Sequence, residues 1–105
     1  MIPKSTIKKA VDLLKKAAKP AKIILFGSYA RGDISENSDL DFLVVEKELK
    51  GRRMEMVRLR RILSPLRIPA DVIVVSDRVF NDWADTPGNI LYEIALEGRV
   101  MYEAS

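Results

Sequence analysis

The 105-residue chain has 18 basic and 15 acidic side chains, a net charge of +3, and neither cysteine nor histidine. These absences exclude disulfides, zinc sites of the cysteine–histidine type, thiolate nucleophiles and imidazole bases, so carboxylates must do any acid–base chemistry. The length predicts one domain, residues 1–105, and the sequence shows neither a signal-peptide pattern nor a membrane-spanning apolar run, so we expect a cytoplasmic protein with no membrane partner.

A helix and a strand open the chain. Apolar residues recur at helical spacing and predict a helix over about residues 5–18, with Ser5 as its N-cap and Pro20 as its stop. The β-prone run KIILF at 22–26 predicts the first strand. We therefore expect the helix to pack its apolar face on a sheet that contains this strand.

The stretch from Gly27 to Asp41 joins the first strand to a second one over Phe42–Val45. Gly27 allows the backbone to approach a ligand closely, and Ser28 opens a short helical turn whose free N–H groups can bind phosphate oxygens. Asp39 and Asp41 are two residues apart in an extended segment, so their carboxylates project from the same face. The sequence thus predicts a phosphate cradle beside two acidic side chains.

Two like charges at this spacing need a cation. A Mg²⁺ ion would neutralise the pair and bridge phosphate oxygens, because such sites often combine one or two carboxylates with the phosphates of the substrate. The cradle and the carboxylates therefore predict a single ligand, a Mg-nucleotide. Gly32 is expected to end the short helical turn, whereas Asp33, Glu36 and Asn37 are interpreted as polar turn residues rather than ligands.

Residues 50–67 predict a second long helix, closed by two prolines. Arg53, Arg60 and Arg67 recur at seven-residue intervals beside its apolar stripe. We interpret them as surface groups with their stems on the protein and their heads in solvent. The alternative is a docking face for an acidic or phosphate-bearing partner. Nucleic acid is not an expected partner, since no aromatic residues interleave with the basic ones for stacking.

The run ADVIVV at 70–75 predicts a third strand. A long helix returns the chain from the second strand, so the third strand can lie next to it. Asp71, near the start of the third strand, would then lie beside Asp39 and Asp41.

The carboxy-terminal segment is harder to interpret. Residues 76–86 predict no regular element, and Trp83 is interpreted as an anchor for this loop, with nucleotide stacking as the alternative. Thr86-Pro87 predicts an N-cap and first helical residue, Gly98 the end of that helix, and 99–103 a last strand. The core stripe of this helix is predicted to be Ile90, Leu91, Ile94 and Ala95.

Gly27-Ser28, ten further residues and then Asp39-x-Asp41 resemble the signature of the DNA polymerase β-type nucleotidyltransferase superfamily. Arg31-Gly32 and Ser38 strengthen the match. Over nearly its whole length the chain is similar to the minimal nucleotidyltransferases of prokaryotes, the MNT or MntA-like antitoxins. This resemblance implies a small single-domain α/β fold, with a mixed β-sheet, helices packed on it and an acidic site at the strand ends.

The resemblance also implies roles for individual residues. It implies three catalytic and metal-binding acids that hold two Mg²⁺ ions, namely Asp39, Asp41 and Asp71. Gly27 and Ser28 would bind the phosphates of the ATP substrate, and Arg31 would lie near the triphosphate. Asp71 would also accept the proton of the attacking hydroxyl.

Three functions remain open at this point. The resemblance implies transfer of AMP from ATP to a hydroxyl, of a tyrosine, on a HEPN-domain toxin, which would make the chain the antitoxin of a toxin–antitoxin hetero-oligomer. The second is a non-catalytic module that neutralises the same partner by binding. The third is a nucleotidyltransferase that acts on RNA or a small molecule, although the short chain has no second lobe to position such an acceptor.

Overall fold

The computed structural model describes residues 1–104, which form a four-stranded sheet and five α-helices. In chain order the elements are α1 (Lys4–Ala18), β1 (Lys22–Phe26), α2 (Ser28–Arg31), β2 (Leu40–Glu46), α3 (Arg52–Leu63), β3 (Ala70–Ser76), α4 (Asp77–Trp83), α5 (Ile90–Glu97) and β4 (Arg99–Glu103). A 3-10 turn over Ser64–Leu66 follows α3. All four predicted strands and the three long predicted helices are present.

The sheet is mixed and has the strand order β3-β2-β1-β4. β1 pairs antiparallel with both β2 and β4, whereas β2 and β3 are parallel. A parallel pair needs a crossover connection, and α3 provides it. The predicted α/β fold with a mixed sheet and helices packed on it is confirmed.

Each face of the sheet has its own core, because side chains alternate along a strand. On one face, Phe42 and Val44 of β2 pack with the buried residues of α1 and α3. On the other face, Leu43 and Val45 pack with Phe80 of α4 and the buried residues of α5. Because helices cover both faces of the sheet, β2 is apolar almost throughout.

The helix ends of the first half differ slightly from the prediction. α1 begins one residue earlier than expected, after Pro3, so Ser5 lies in its first turn rather than at its N-cap. α3 begins after Gly51, whose φ of +65° is a left-handed conformation that glycine adopts easily, and Pro65 ends it in the 3-10 turn. In α1 the predicted apolar face is buried, with Ile7, Ala10, Val11 and Leu14 in the core.

Two predictions for residues 76–90 were wrong, namely the lack of a regular element over 76–86 and the N-cap at Thr86, and Trp83 lies half-exposed at the end of a helix rather than in a loop. The segment contains a helix, α4, whose N-cap is Ser76; the Ser76 hydroxyl accepts a hydrogen bond from the Val79 N–H at 3.1 Å. The N-cap of α5 is Asn89 rather than Thr86, because the Asn89 side chain accepts from the Leu91 and Tyr92 N–H groups at 2.9 and 3.1 Å. Leu91 and Ile94 are buried as predicted, whereas Ile90 and Ala95 are exposed.

Among residues 1–104, no helix is both long and apolar enough to cross a membrane.

Candidate active site

The predicted site lies where β1 ends and where β2 and β3 begin. Gly27 follows β1 with φ +76° and ψ −155°, a conformation that is open to glycine and strained for other residues. A Cβ atom at this position would collide with Oδ2 of Asp41. The sequence therefore needs glycine here for two reasons, namely the backbone conformation and the contact with the carboxylate of Asp41.

The register of the sheet brings the acids together. Asp41 of β2 is the parallel partner of Asp71 of β3, so the two side chains leave the same face of adjacent strands that lie about 4.8 Å apart. The hydrogen bond from the Leu40 N–H to the Pro69 carbonyl, at 2.9 Å, fixes this register at the strand starts. Asp39 directly precedes β2 and lies near enough to act on the charge of Asp41.

The electrostatics of Asp41 reveal an excess of negative charge. Burial raises the pKa of Asp41, and the neighbouring carboxylates of Asp71 and Asp39 raise it further, whereas the guanidinium of Arg31 lowers it. A carboxyl surrounded by like charges is stabilised in its ionised form by a cation. The donor set is all carboxylate oxygen, which is the ligand type that Mg²⁺ prefers.

The short helix α2 forms the turn after Gly27. The Gly27 carbonyl accepts hydrogen bonds from the Ala30 and Arg31 N–H groups at 3.1 and 3.0 Å, and Gly32, with φ +89°, ends the turn as predicted. The first N–H groups of a helix have no acceptor within it, so those of α2 are the donors available to a phosphate. Ser28, at the first position of α2, is partly exposed, and its hydroxyl is a further donor that a phosphate could use.

Arg31 is the last residue of α2 and is half-exposed. Its Nε lies 3.3 Å from Oδ2 of Asp33, so part of its charge is already paired. Because its guanidinium still lowers the pKa of Asp41, it lies within electrostatic reach of the acids. This position is compatible with the predicted role near a triphosphate.

Arg60 of α3 is a residue of this region that the sequence did not assign to it. Its guanidinium forms an ion pair with Oδ1 of Asp71 and lies 3.5 Å from the Val72 carbonyl. The Val72 N–H donates a hydrogen bond to the same Oδ1 at 3.0 Å. One oxygen of Asp71 thus has two donors. No local pattern reveals this contact, since it joins a helix to a strand edge across the fold.

The basic face proposed on α3 is therefore divided. Arg53 and Arg67 are exposed, whereas Arg60 is committed to β3. A further arginine, Arg52, donates from Nε to the Val74 carbonyl at 2.6 Å. Two arginines of α3 thus contact the outer edge of β3.

Within the described part of the chain, no three acidic side chains are close enough together to form a ready metal cluster. The ion pair with Arg60 occupies one oxygen of Asp71. Asp39 and Asp41 offer carboxylate oxygens to a cation, and Oδ2 is the Asp71 oxygen that Arg60 does not occupy.

A family model described as "Nucleotidyltransferase domain" matches residues 6–98, which include every residue of this site. The chain belongs to the nucleotidyltransferase domain family. A relative from Methanocaldococcus jannaschii, named "Putative protein adenylyltransferase MJ0604", is 36% identical over 97% of this chain and 100% of its own length. A second protein of that organism with the same description, MJ0141, is 40% identical over 50% of this chain and 52% of its own length.

Solved structures share the architecture of this nucleotidyltransferase domain. A toxin–antitoxin crystal structure with AMP-PNP has a TM-score of 0.64 at 20% identity, over 92% of this chain and 73% of that one. A tyrosine-to-alanine mutant of the toxin–antitoxin MntA–HpeT has a TM-score of 0.61 at 23% identity, over 99% and 75% of the two chains. At such identities the likeness establishes the fold. The family model and the named relatives confirm the predictions of a nucleotidyltransferase and of an enzyme.

Proposed function

We propose that this nucleotidyltransferase domain transfers AMP from ATP to a tyrosine hydroxyl of a HEPN-domain toxin, and so acts as the antitoxin of the pair. The observation that carries the proposal is the pairing of Asp41 with Asp71 beside Gly27, since it combines an acidic pair with a phosphate-binding turn. The names of the relatives support AMP transfer to protein. The toxin–antitoxin neighbours, one of them with AMP-PNP, support a toxin as the partner and an adenine nucleotide as the ligand.

In this proposal Asp39 and Asp41 hold Mg²⁺, and Asp71, paired with Arg60, acts as the proton acceptor. The bound metal would supply charge stabilisation at the phosphates and lower the pKa of the attacking hydroxyl. Gly27 and Ser28 place backbone N–H groups and a hydroxyl at the β and γ phosphates, which holds the nucleotide in one orientation. Arg31 adds positive charge near the triphosphate.

The acceptor oxygen attacks the α-phosphorus, and the bond from that phosphorus to the bridging oxygen of pyrophosphate breaks. The proton of the acceptor hydroxyl passes to Asp71, whose Oδ2 is left to accept it because Arg60 and the Val72 N–H occupy Oδ1. The products are an AMP ester of the toxin and pyrophosphate. The added phosphate introduces negative charge and bulk at the modified side chain, which would block entry of RNA to an RNase site.

Intact-mass measurement tests this function. The chain, its HEPN-domain partner, ATP and Mg²⁺ are incubated, and we expect the partner to gain the mass of one or more AMP groups. Asp39→Asn and Asp41→Asn should abolish the gain and the Mg²⁺-dependent binding of ATP, because each removes a charge from the cation site. Glu36→Gln is the matched control, since Glu36 is an exposed acid of the same loop.

The variant Asp71→Asn separates the roles of the acids. If Asp71 is the proton acceptor, this variant should keep part of its Mg-ATP affinity in calorimetry while losing transfer. Normal transfer by Asp71→Asn would reduce Asp71 to a structural residue. A stable complex that silences the toxin without any mass gain would replace AMP transfer with inhibition by binding alone.

A further inference from the structure

A groove lies on the same face of the sheet as Asp41 and Asp71, between β3, α4 and α5. Its volume is about 350 Å³, within the range of 300–1,000 Å³ that is usual for binding clefts. Its floor is apolar and consists of Ile73 and Val75 of β3 with Leu91 and Ile94 of α5. The core of this face leaves part of β3 open, because α5 packs mainly over β1.

Large apolar side chains that face solvent border this groove. Val79 of α4 and Ile90 of α5 line it and are 41% and 60% exposed. Trp83, one helical turn beyond Val79, is 51% exposed, and its carbonyl accepts a hydrogen bond from the Asn89 side chain, next to Ile90. We call the surface formed by Val79, Trp83 and Ile90 the α4–α5 patch. Adjacent exposed apolar residues of this size are typical of interaction sites.

The groove begins close to the acids. Ile73 lies two residues beyond Asp71 on the same face of β3, which corresponds to about 7 Å along the strand. A protein that brings a hydroxyl group to Asp71 must therefore approach over this groove or beside it. The α4–α5 patch lies next to a groove that leads to the acids, whereas exposed apolar residues on the opposite face, such as Met54, do not.

The charges of α4 and the turn after it are mainly negative, and Arg52 lines the groove on the side of β3. α4 and the turn after it carry Asp77, Asp82 and Asp85 against the single cation Arg78. An apolar surface with an acidic border is complementary to a partner with apolar or aromatic side chains and basic neighbours. Enzymes that bind RNA carry such basic surfaces.

We propose that the α4–α5 patch and its groove are the docking site for the acceptor protein, through an apolar, basic-flanked surface next to the hydroxyl that is modified. This inference rests on the proposed function, for which it names the surface that selects the acceptor. Trp83 and Ile90 provide the central apolar contacts, since large side chains at the centre of an interface carry most of the binding energy. The nucleotide contacts Gly27, Ser28 and the acids, and makes no essential contact with the patch.

Two binding measurements test the docking site. We measure the affinity of the full chain for the purified HEPN-domain partner, and separately for Mg-ATP, in the variants Trp83→Ala and Ile90→Ser. We expect at least about tenfold weaker partner binding in each, a loss that is common for central interface residues, and Mg-ATP affinity within about twofold of the unaltered chain. Met54→Ala is the matched control, because Met54 is 72% exposed on α3 and lies outside the patch.

Each outcome decides the inference. Unchanged partner affinity in both variants, or an equal loss in Met54→Ala, would overturn it. Weaker Mg-ATP binding in Ile90→Ser would assign the groove to the nucleotide base instead, which also overturns it. If the unaltered chain binds the partner through the patch but transfers no AMP, the proposed function fails while the docking site stands. If AMP is transferred and the patch variants bind normally, only the docking site fails.

Discussion

At the residue scale, the environment of Gly27 is the most restrictive feature of the site. The backbone conformation at Gly27 costs other residues about 1–3 kcal/mol, and a Cβ atom would also displace the Asp41 carboxylate. The sequence pattern already pointed to Gly27 and Asp41 as site residues. The position of Asp41 beside Gly27 depends on the pairing of Phe26 with Asp41 across β1 and β2, which no local pattern gives.

We predict that Gly27→Ala weakens Mg-ATP binding by more than about tenfold, because the added methyl group pushes Asp41 away from its cation-binding position. The measurement is calorimetric titration of ATP in the presence of Mg²⁺. Gly51→Ala is the control, since Gly51 also has a positive φ, of +65°, but has open space where its Cβ would lie. Both variants should lose stability, and only Gly27→Ala should lose binding; equal ATP affinities in the two would contradict the prediction.

Arg60 is a positioning residue for Asp71 in our interpretation. We predict that Arg60→Ala lowers the kcat of AMP transfer by about tenfold and changes Mg-ATP affinity by less than about twofold, because it releases Asp71 but leaves Asp39 and Asp41 in place. Arg60→Lys should recover part of the loss, since it restores one positive charge. Arg61→Ala, at the exposed neighbouring position, is the control. A kcat that is unchanged in Arg60→Ala would show that the ion pair has no role in the reaction.

At the element scale, the buried Glu46 of β2 and the half-buried Glu55 of α3 form a pair of neighbouring acids. Glu46 of β2 is buried, and its Oε2 has no hydrogen-bond partner among the described residues. Glu55 of α3 is held by Arg58 through Nε–Oε1 and Nη2–Oε2 contacts of 2.7 and 2.9 Å, and Arg58 also donates to the Ala17 carbonyl of α1. Burial raises the pKa of Glu46 to about 8, and the neighbouring Glu55 contributes to the shift.

This pair makes stability depend on pH. Between about pH 4.5 and 8 the unfolded chain has released the Glu46 proton while the folded chain keeps it, so the free energy of unfolding should fall as pH rises and level off above 8. The hydrogen bond from Arg58 lowers the pKa of Glu55, which acts in the opposite direction but only below its usual range. We predict that Glu46→Gln removes most of the fall between pH 5 and 8, as measured by urea unfolding at both values.

Glu48→Gln is the control for that experiment, because Glu48 is an exposed acid just beyond β2. It should keep the pH dependence of the unaltered chain. If Glu46→Gln shows the same fall in stability as Glu48→Gln, the proton on Glu46 is not the cause.

Some helices and strands were predictable from local sequence patterns and others were not. The strands and α1 have strong periodic patterns, and these predicted their positions well. α4 was missed because only Phe80 of its apolar residues is buried, so Val79 and Trp83 break the pattern that a packed helix gives. Asn89 was missed as an N-cap because Thr86-Pro87 matched the usual signal for a helix start. The Asn89 side chain donates to the Thr86 carbonyl before it and accepts from the Leu91 N–H after it.

At the scale of the whole molecule, the mixed sheet was expected from the alternation of elements and from the family resemblance, whereas its strand order came only from the structure. The register of β2 with β3 places Asp41 opposite Asp71, and the sequence had predicted that these two acids lie side by side. The division into two covered faces was not predicted. That division places the acids, the groove and the α4–α5 patch on one face, so under the proposed function the acceptor is expected to approach from that face.

The arginines at β3 also have a consequence for the behaviour of the protein at high concentration. β3 is an edge strand with the sequence ADVIVVS, and an exposed edge of this composition can pair with the same strand of other molecules and begin aggregation. Arg52 and Arg60 occupy the carbonyls of Val74 and Val72 and bring positive charges to this edge. The long side chains of α3 therefore keep the sheet from growing beyond β3, so one helix both supplies the crossover and protects the molecule from misassembly.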